Sequence, residues 1–244
     1  MDYSWFDSFY GKNDLISSRI ILSFMAGNGN YGISLKRKDG TFLLTPVLGC
    51  LSQNNGIVEF GGDMNLVVHE FNQPYCNPLI EGNWSAIASK SEQVYRKVSG
   101  IMESQAYTSA LTMMCETLVR ACAIRYMLTH GMESQVEERI KYEEWDGFMM
   151  VRALMQTLEK RDQAAGKYVT LADFMPEIIK AINQFDPDAS FDPYGTAEPD
   201  AFSGLPSSSI SDGFFTSLRP VSSISKTPIS FVEPNLLFTA RSTL

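Results

Sequence analysis

His69 and Glu70 open the motif of the stretch LVVHEFNQPYCNP at residues 66–78, and their setting is that of H-E-x-x-H with the second histidine replaced. In the full pattern two histidines one helical turn apart hold a zinc ion, and the glutamate acts as general base on metal-bound water. Helix positions i and i+4 project to one face, so both ligands reach one ion and the glutamate lies beside the water. Here the fifth position is Gln73. An amide oxygen is a poor zinc ligand beside imidazole, so metal affinity is expected to fall steeply.

The partner residues come from further along the chain. Glu116 stands in CETLVRACAIRY, residues 115–126, among apolar neighbours. Two readings of it stand side by side: a metal ligand supplied by a second helix, as in one large class of zinc peptidases, and an i, i+4 ion pair with Arg120. Two residues could replace the lost histidine. His130 lies fourteen positions past Glu116, ~21 Å along a continuous helix, and reads better as a helix-end residue facing the dipole. Cys76 would be a good thiolate ligand, but Pro74 leaves its direction undetermined. Tyr107 and Tyr126 are read as core aromatics before oxyanion donors. Arg120 and Arg125 are read as partners of Glu116 and the helix ends before clamps for a substrate carboxylate.

The elements that must position these groups fall into two parts. The first 60 residues read as strands and turns: Ser18 to Met25, then Tyr31 to Lys36 and Thr41 to Leu48 flanking the Asp39-Gly40 hairpin signal, then a short strand at Ile57 to Phe60 ended by Gly61-Gly62. From Asp63 to about Asn183 the pattern is helical. Asp63 is read as the cap of the motif helix, which Pro74 should kink or stop near Gln73. A long helix is predicted over Ile101 to Thr129, closed by His130-Gly131, with others at Glu133–Tyr142, Glu144–Arg161 and Leu171–Gln184, the last capped by Thr170. The domain is therefore placed at residues 1–185, and residues 186–244 at an extended Pro/Ser-rich tail with one or two strands, one of them near Pro228 to Val232. Asp186, Asp188 and Asp192 lack the glycine and closing glutamate of a calcium loop.

Composition excludes several classes. A net charge of −8 without a basic stripe argues against a nucleic-acid surface. The apolar stretches fall far short of the ~20 residues of a membrane span. Cys50, Cys76, Cys115 and Cys122 lack CxxC spacing and read as buried thiols, Cys115 and Cys122 one heptad apart on one helix. Met1 to Trp5 shows neither a basic n-region nor an apolar h-region, as in a cytoplasmic protein or a mature chain without its leader.

HEFNQPYCNP at 69–78 resembles the signature H-E-F-x-H-x-[YF]-x-N-P of an uncharacterised family of zincin-like bacterial proteins, common in Bacteroides-type gut bacteria and catalogued as a domain of unknown function. Trp5 to Gly11, Asn30 to Gly32, Val119 to Cys122 with Arg125-Tyr126, and Asp173 to Pro176 are similar to that family as well, so the resemblance spans about residues 3–185. It implies an α+β, gluzincin-type fold, N-terminal antiparallel strands before a mainly helical part, with His69 and Glu116 as zinc ligands, Gln73 in the place of the other and Glu70 as base. It also implies a periplasmic or extracellular location. The expected function is that of a zinc-metallopeptidase-like protein with a peptide or protein substrate, weak or inactive because zinc binds weakly or not at all. The alternative is a non-catalytic peptide- or glycan-binding scaffold that keeps the cleft.

Overall fold

Asp2 begins the fold by capping a helix, its Oδ1 accepting from the backbone N–H groups of Ser4 (2.9 Å) and Trp5 (3.3 Å). The computed structural model describes residues 1–27, 29–54, 57–60, 64–164 and 166–189. Helix α1 (Tyr3–Tyr10) corrects the strand-and-turn reading of the first segment. Its aromatic residues hold it in place: Phe6 and Phe9 are buried, and Trp5 stacks on Phe9 with ring centroids 4.4 Å apart.

A five-stranded sheet follows. Strand β4 (Phe42–Asn54) pairs in parallel with β1 (Ile16–Ser18) and β2 (Ile21–Ser23), and antiparallel with β3 (Tyr31–Lys36) and β5 (Ile57–Phe60). The expected hairpin is present. Asp39 Oδ1 accepts from Thr41 N at 2.9 Å, Gly40 takes φ 85°, and Lys36 pairs with Phe42. The single strand expected over 18–25 is instead β1, β2 and a 3-10 turn at Phe24–Ala26. The interruption at Arg19 and Ile20 falls level with Pro46 in β4, which has no N–H to give the ladder.

The rest is helical: α2 (Met64–Gly82), α3 (Trp84–Ser104), α4 (Ala110–Thr129), α5 (Glu133–Trp145), α6 (Val151–Gln163) and α7 (Leu171–Gln184). Three expectations are corrected. First, α2 does not stop near Gln73 but runs through Pro74 and Pro78. Each interior proline costs ~3 kcal/mol, and the second half of α2 buries Cys76 and Ile80 completely, which offsets that cost. Second, the helix expected over 101–129 is two, with α3 starting far earlier. Ala106 takes φ 68° at the break, and Ser109 Oγ caps α4 by accepting from Thr112 N at 3.1 Å. Third, the helix expected over 144–161 is broken after Trp145, where Gly147 takes φ 96° and a Cβ would lie 2.6 Å from Met102 Cε. The cap predicted at Thr170 is present as a full capping box with Asp173. Asp63, Gly61, Gly62, Asp192 and the tail from residue 190 onward lie outside the described residues.

Helix α4 is the centre of the core. Met114, Leu118, Val119, Ala121 and Cys122 are fully buried around its circumference, and Glu116, Thr117 and Arg120 are buried with them, so the helix is enclosed on most sides. It packs against α2, α3, α5 and α6. Cys76, Cys115 and Cys122 are buried free thiols, as their spacing suggested, and Cys50 is half-buried. Among the described residues no helix is long and apolar enough to cross a membrane.

Strand β3 lies directly on α2 through Gly32. A Cβ there would come within 2.5 Å of the Glu70 carbonyl oxygen and 2.7 Å of Gln73 Oε1. That carbonyl is the one left without an intrahelical donor by Pro74. Gly32→Ala is therefore expected to force the sheet from the helix and cost about 1–3 kcal/mol, read as a lowered urea midpoint. A midpoint equal to that of the natural protein would contradict this close approach.

Candidate functional site

The packing of α2 against α4 sets the motif beside its expected partner. His69 Nε2 lies 3.3 Å from Glu116 Oε2. The same oxygen accepts from Arg120 Nη1 at 2.6 Å, the i, i+4 pair anticipated from the spacing. The i, i+4 ion pair is therefore a contact that Glu116 makes, and the same carboxylate also faces the motif histidine.

Arg120 continues the chain of charge. Its Nε lies 2.8 Å from Glu143 Oε2 on α5, and Arg139 Nη2 lies 2.7 Å from Glu143 Oε1. The guanidinium also sits 3.9 Å from the centre of the Phe148 ring. Glu116, Arg120 and Glu143 are all buried. Buried charges of this kind are held only as a mutually satisfied set. Burial alone would raise the Glu116 carboxyl, but His69 and then Arg120 hold it down at about 2. Burial would likewise lower Arg120, and Glu143, with Tyr107 and Glu116, pushes it upward instead.

Two further carboxyls sit at the margin of this set. Glu70 is pushed up to about 8, first by burial and then by the charge of Glu116, with Arg120 opposing. Its buried Oε2 has no hydrogen-bond partner among the described residues. Asp146 is likewise pushed up to about 8, by burial and then Glu143. Gln105 Nε2 donates to Asp146 Oδ1 at 3.0 Å, while Oδ2 has no partner among the described residues. A carboxyl held near 8 carries its proton at neutral pH, so in this setting Glu70 is a donor rather than a base.

The remaining candidates separate from the site. Cys76 is fully buried in the core, 3.4 Å from the Tyr10 hydroxyl. His130 stacks on Tyr126 with ring centroids 3.7 Å apart and reaches Asp2 with its Nε2 at 3.3 Å. Tyr126 accepts from Asp2 N through its hydroxyl, and Arg125 pairs with Asp162. Tyr107 alone of the two tyrosines belongs to the charged set, its hydroxyl pushed upward by burial and then Glu116. Glu143, Arg139, Asp146 and Gln105 were missed in the sequence. The only signals for them were the Arg139–Glu143 i, i+4 spacing and the Asp146-Gly147 turn dipeptide.

Gln73 faces away from the ion pairs toward the sheet. It lines a cavity of about 410 Å³ between the second half of α2 and the sheet face carrying Ile16, Gly32, Ser34, Phe42 and Leu44.

Zinc can be tested against these donors. His69 and Glu116 converge, but Glu116 Oε2 already holds a guanidinium, and the amide of Gln73 lies against Gly32. Among the described residues no three His, Cys, Asp or Glu side chains come together closely enough to hold a metal ion. One imidazole, one arginine-clamped carboxylate and an amide do not fit zinc.

The class defined by these features is a mainly helical α+β domain with an N-terminal sheet and a buried His–Glu–Arg–Glu chain between its central helices. A family model described as a domain of unknown function (DUF4932) matches residues 6–181, and the chain belongs to that family. No curated protein and no solved structure matches it.

Proposed function

We propose that this protein is a zinc-metallopeptidase-like domain whose site has lost its metal set, leaving a peptidase scaffold with little or no hydrolytic activity. The observation that carries the reading is the convergence of His69 and Glu116 at 3.3 Å from two different helices. Helix α2 brings the His-Glu pair of a degenerate H-E-x-x-H, and α4 brings the glutamate that would complete a gluzincin-type donor set. Gln73 occupies the sequence position of the second imidazole, with its amide turned to Gly32. Against the opposing effect of burial, His69 and then Arg120 hold the Glu116 carboxyl low, so the carboxylate stays ionised without a cation. No step through a metal follows from such a donor set.

Gln73→His tests the reading. The variant is expected to bind zinc at least tenfold more tightly than the natural chain, measured by competition with a chelating dye, since imidazole replaces a poor amide donor. Equal affinity in the two proteins would sink the idea that Gln73 is the lesion.

A second reading is favoured by the cavity beside Gln73. Its volume of about 410 Å³ lies within the ~300–1,000 Å³ of small-ligand sites. A scaffold without hydrolytic chemistry would use it to hold a peptide or glycan group, and such binding would be indifferent to chelators.

A further inference from the structure

The chemistry of that cavity is one-sided. Among the described residues that line it none is basic, and one, Glu81, is acidic. Its walls are apolar on both sides, Ile16, Phe42 and Leu44 from the sheet and Pro74, Tyr75 and Pro78 from α2. The polar groups set into those walls are the amides of Asn13, Gln73 and Asn77 and the hydroxyl of Ser34, which both donate and accept, so the only net charge among the described lining residues is the carboxylate of Glu81. Asn77 Oδ1 is buried and has no hydrogen-bond partner among the described residues. Pro78 has no N–H to offer the carbonyl of Pro74 four residues earlier, which leaves a further acceptor on the same stretch of helix.

A smaller cavity continues this one past Tyr75, sharing Asn13 and Ile16 with it. It has the same bias, holding Asp7 and no basic residue. Two adjoining hollows thus each combine apolar walls with one carboxylate.

We infer that this pair of cavities takes a primary ammonium carried on an aliphatic stem, the stem lying between the sheet and Pro74–Pro78 and the ammonium meeting Glu81 and the Asn77 carbonyl. An anionic ligand would meet the Glu81 carboxylate and no cation among the described lining residues, and a purely apolar one would leave Asn77 Oδ1 unpaired. A peptide offers this chemistry from two sources, a lysine side chain or the free amino end of an apolar residue. The inference rests on the binding reading above and is independent of zinc.

The test is a titration of the whole isotope-labelled protein, followed by amide NMR shifts, with four probes. N-acetyl-lysine N-methylamide presents the side-chain ammonium, leucinamide the terminal one, and hexanoate and N-acetylleucine are carboxylates of similar apolar size. Saturable shifts at residues 32–34, 42–44 and 73–81 are expected with at least one amine, at least tenfold tighter than with either carboxylate. Whichever amine binds more tightly identifies the source. Glu81→Gln, at an exposed position, should weaken the amine at least tenfold, and Ser34→Trp, which fills the mouth, should abolish binding. Carboxylates binding as tightly as amines, or amine binding unchanged in Glu81→Gln, would overturn the ligand class while leaving a binding cleft. No saturable binding of any probe, or amine binding that survives Ser34→Trp, would overturn the cavity as the site.

Discussion

Arg120→Met is expected to cost the domain about 3–5 kcal/mol, a large share of the ~5–15 kcal/mol that holds a domain folded. The guanidinium bridges Glu116 on its own helix and Glu143 on α5, at 2.6 and 2.8 Å. Its removal leaves Glu116 with His69 alone and Glu143 with Arg139 alone. Arg120 is 4% exposed, so water cannot take its place. The loss should be strongly non-additive. Arg120→Met combined with Glu116→Gln and Glu143→Gln removes the stranded charges with their partner, and is expected to recover more than half of the single variant's loss. Urea unfolding of the single and triple variants measures both quantities. A single variant within about 1 kcal/mol of the natural protein would contradict a buried, mutually dependent set.

The second large effect is a stability that falls as pH rises. Glu70 is held near 8 against an ordinary 4.5, and Asp146 near 8 against 3.8. Between those values each folded carboxyl keeps a proton that the unfolded chain has released. The unfolded state then binds fewer protons, so raising the pH favours unfolding. Each group contributes a slope of up to about 1.4 kcal/mol per pH unit, from roughly pH 4–5 to 8 and flattening above. Glu116 works in the opposite sense. Its folded value is about 2, so the stability it adds above 4.5 is lost as pH falls through that interval. The domain should be most stable near pH 5. Unfolding free energies at pH 5, 6, 7 and 8 should decline steadily, and Glu70→Gln or Asp146→Asn should each remove about half the slope. A flat or rising profile over this range would mean that these carboxyls are not buried in protonated form.

Much of the site was legible because it depends on local spacing. A helix places residues three and four apart on one face, so Glu116 beside Arg120 could be read directly, whereas Gln73, four residues from His69, turns to Gly32 instead. The hairpin at Asp39-Gly40 and the cap at Thr170 are equally local, and both are present. What escaped depends on distant contacts. Pro74 is a helix breaker by propensity, and α2 runs through it because Cys76 and Ile80 are buried beyond it. Nothing between Ile101 and Ala110 announces that the chain turns there, since the turn uses Ala106 at positive φ instead of a glycine. Spacing shows only the pairing of Arg120 with Glu116, because its second carboxylate, Glu143, arrives from another helix 23 positions on. The expected membership of a family catalogued as a domain of unknown function is met by the family model over residues 6–181.

The central claim is that a zinc-peptidase scaffold has exchanged its metal for an arginine-clamped carboxylate. The most direct test is zinc content by elemental analysis, after dialysis of the natural protein against micromolar zinc and then metal-free buffer. The account predicts far less than one zinc per chain, with Gln73→His treated in parallel retaining more. One tightly held zinc per chain in the natural protein would contradict it.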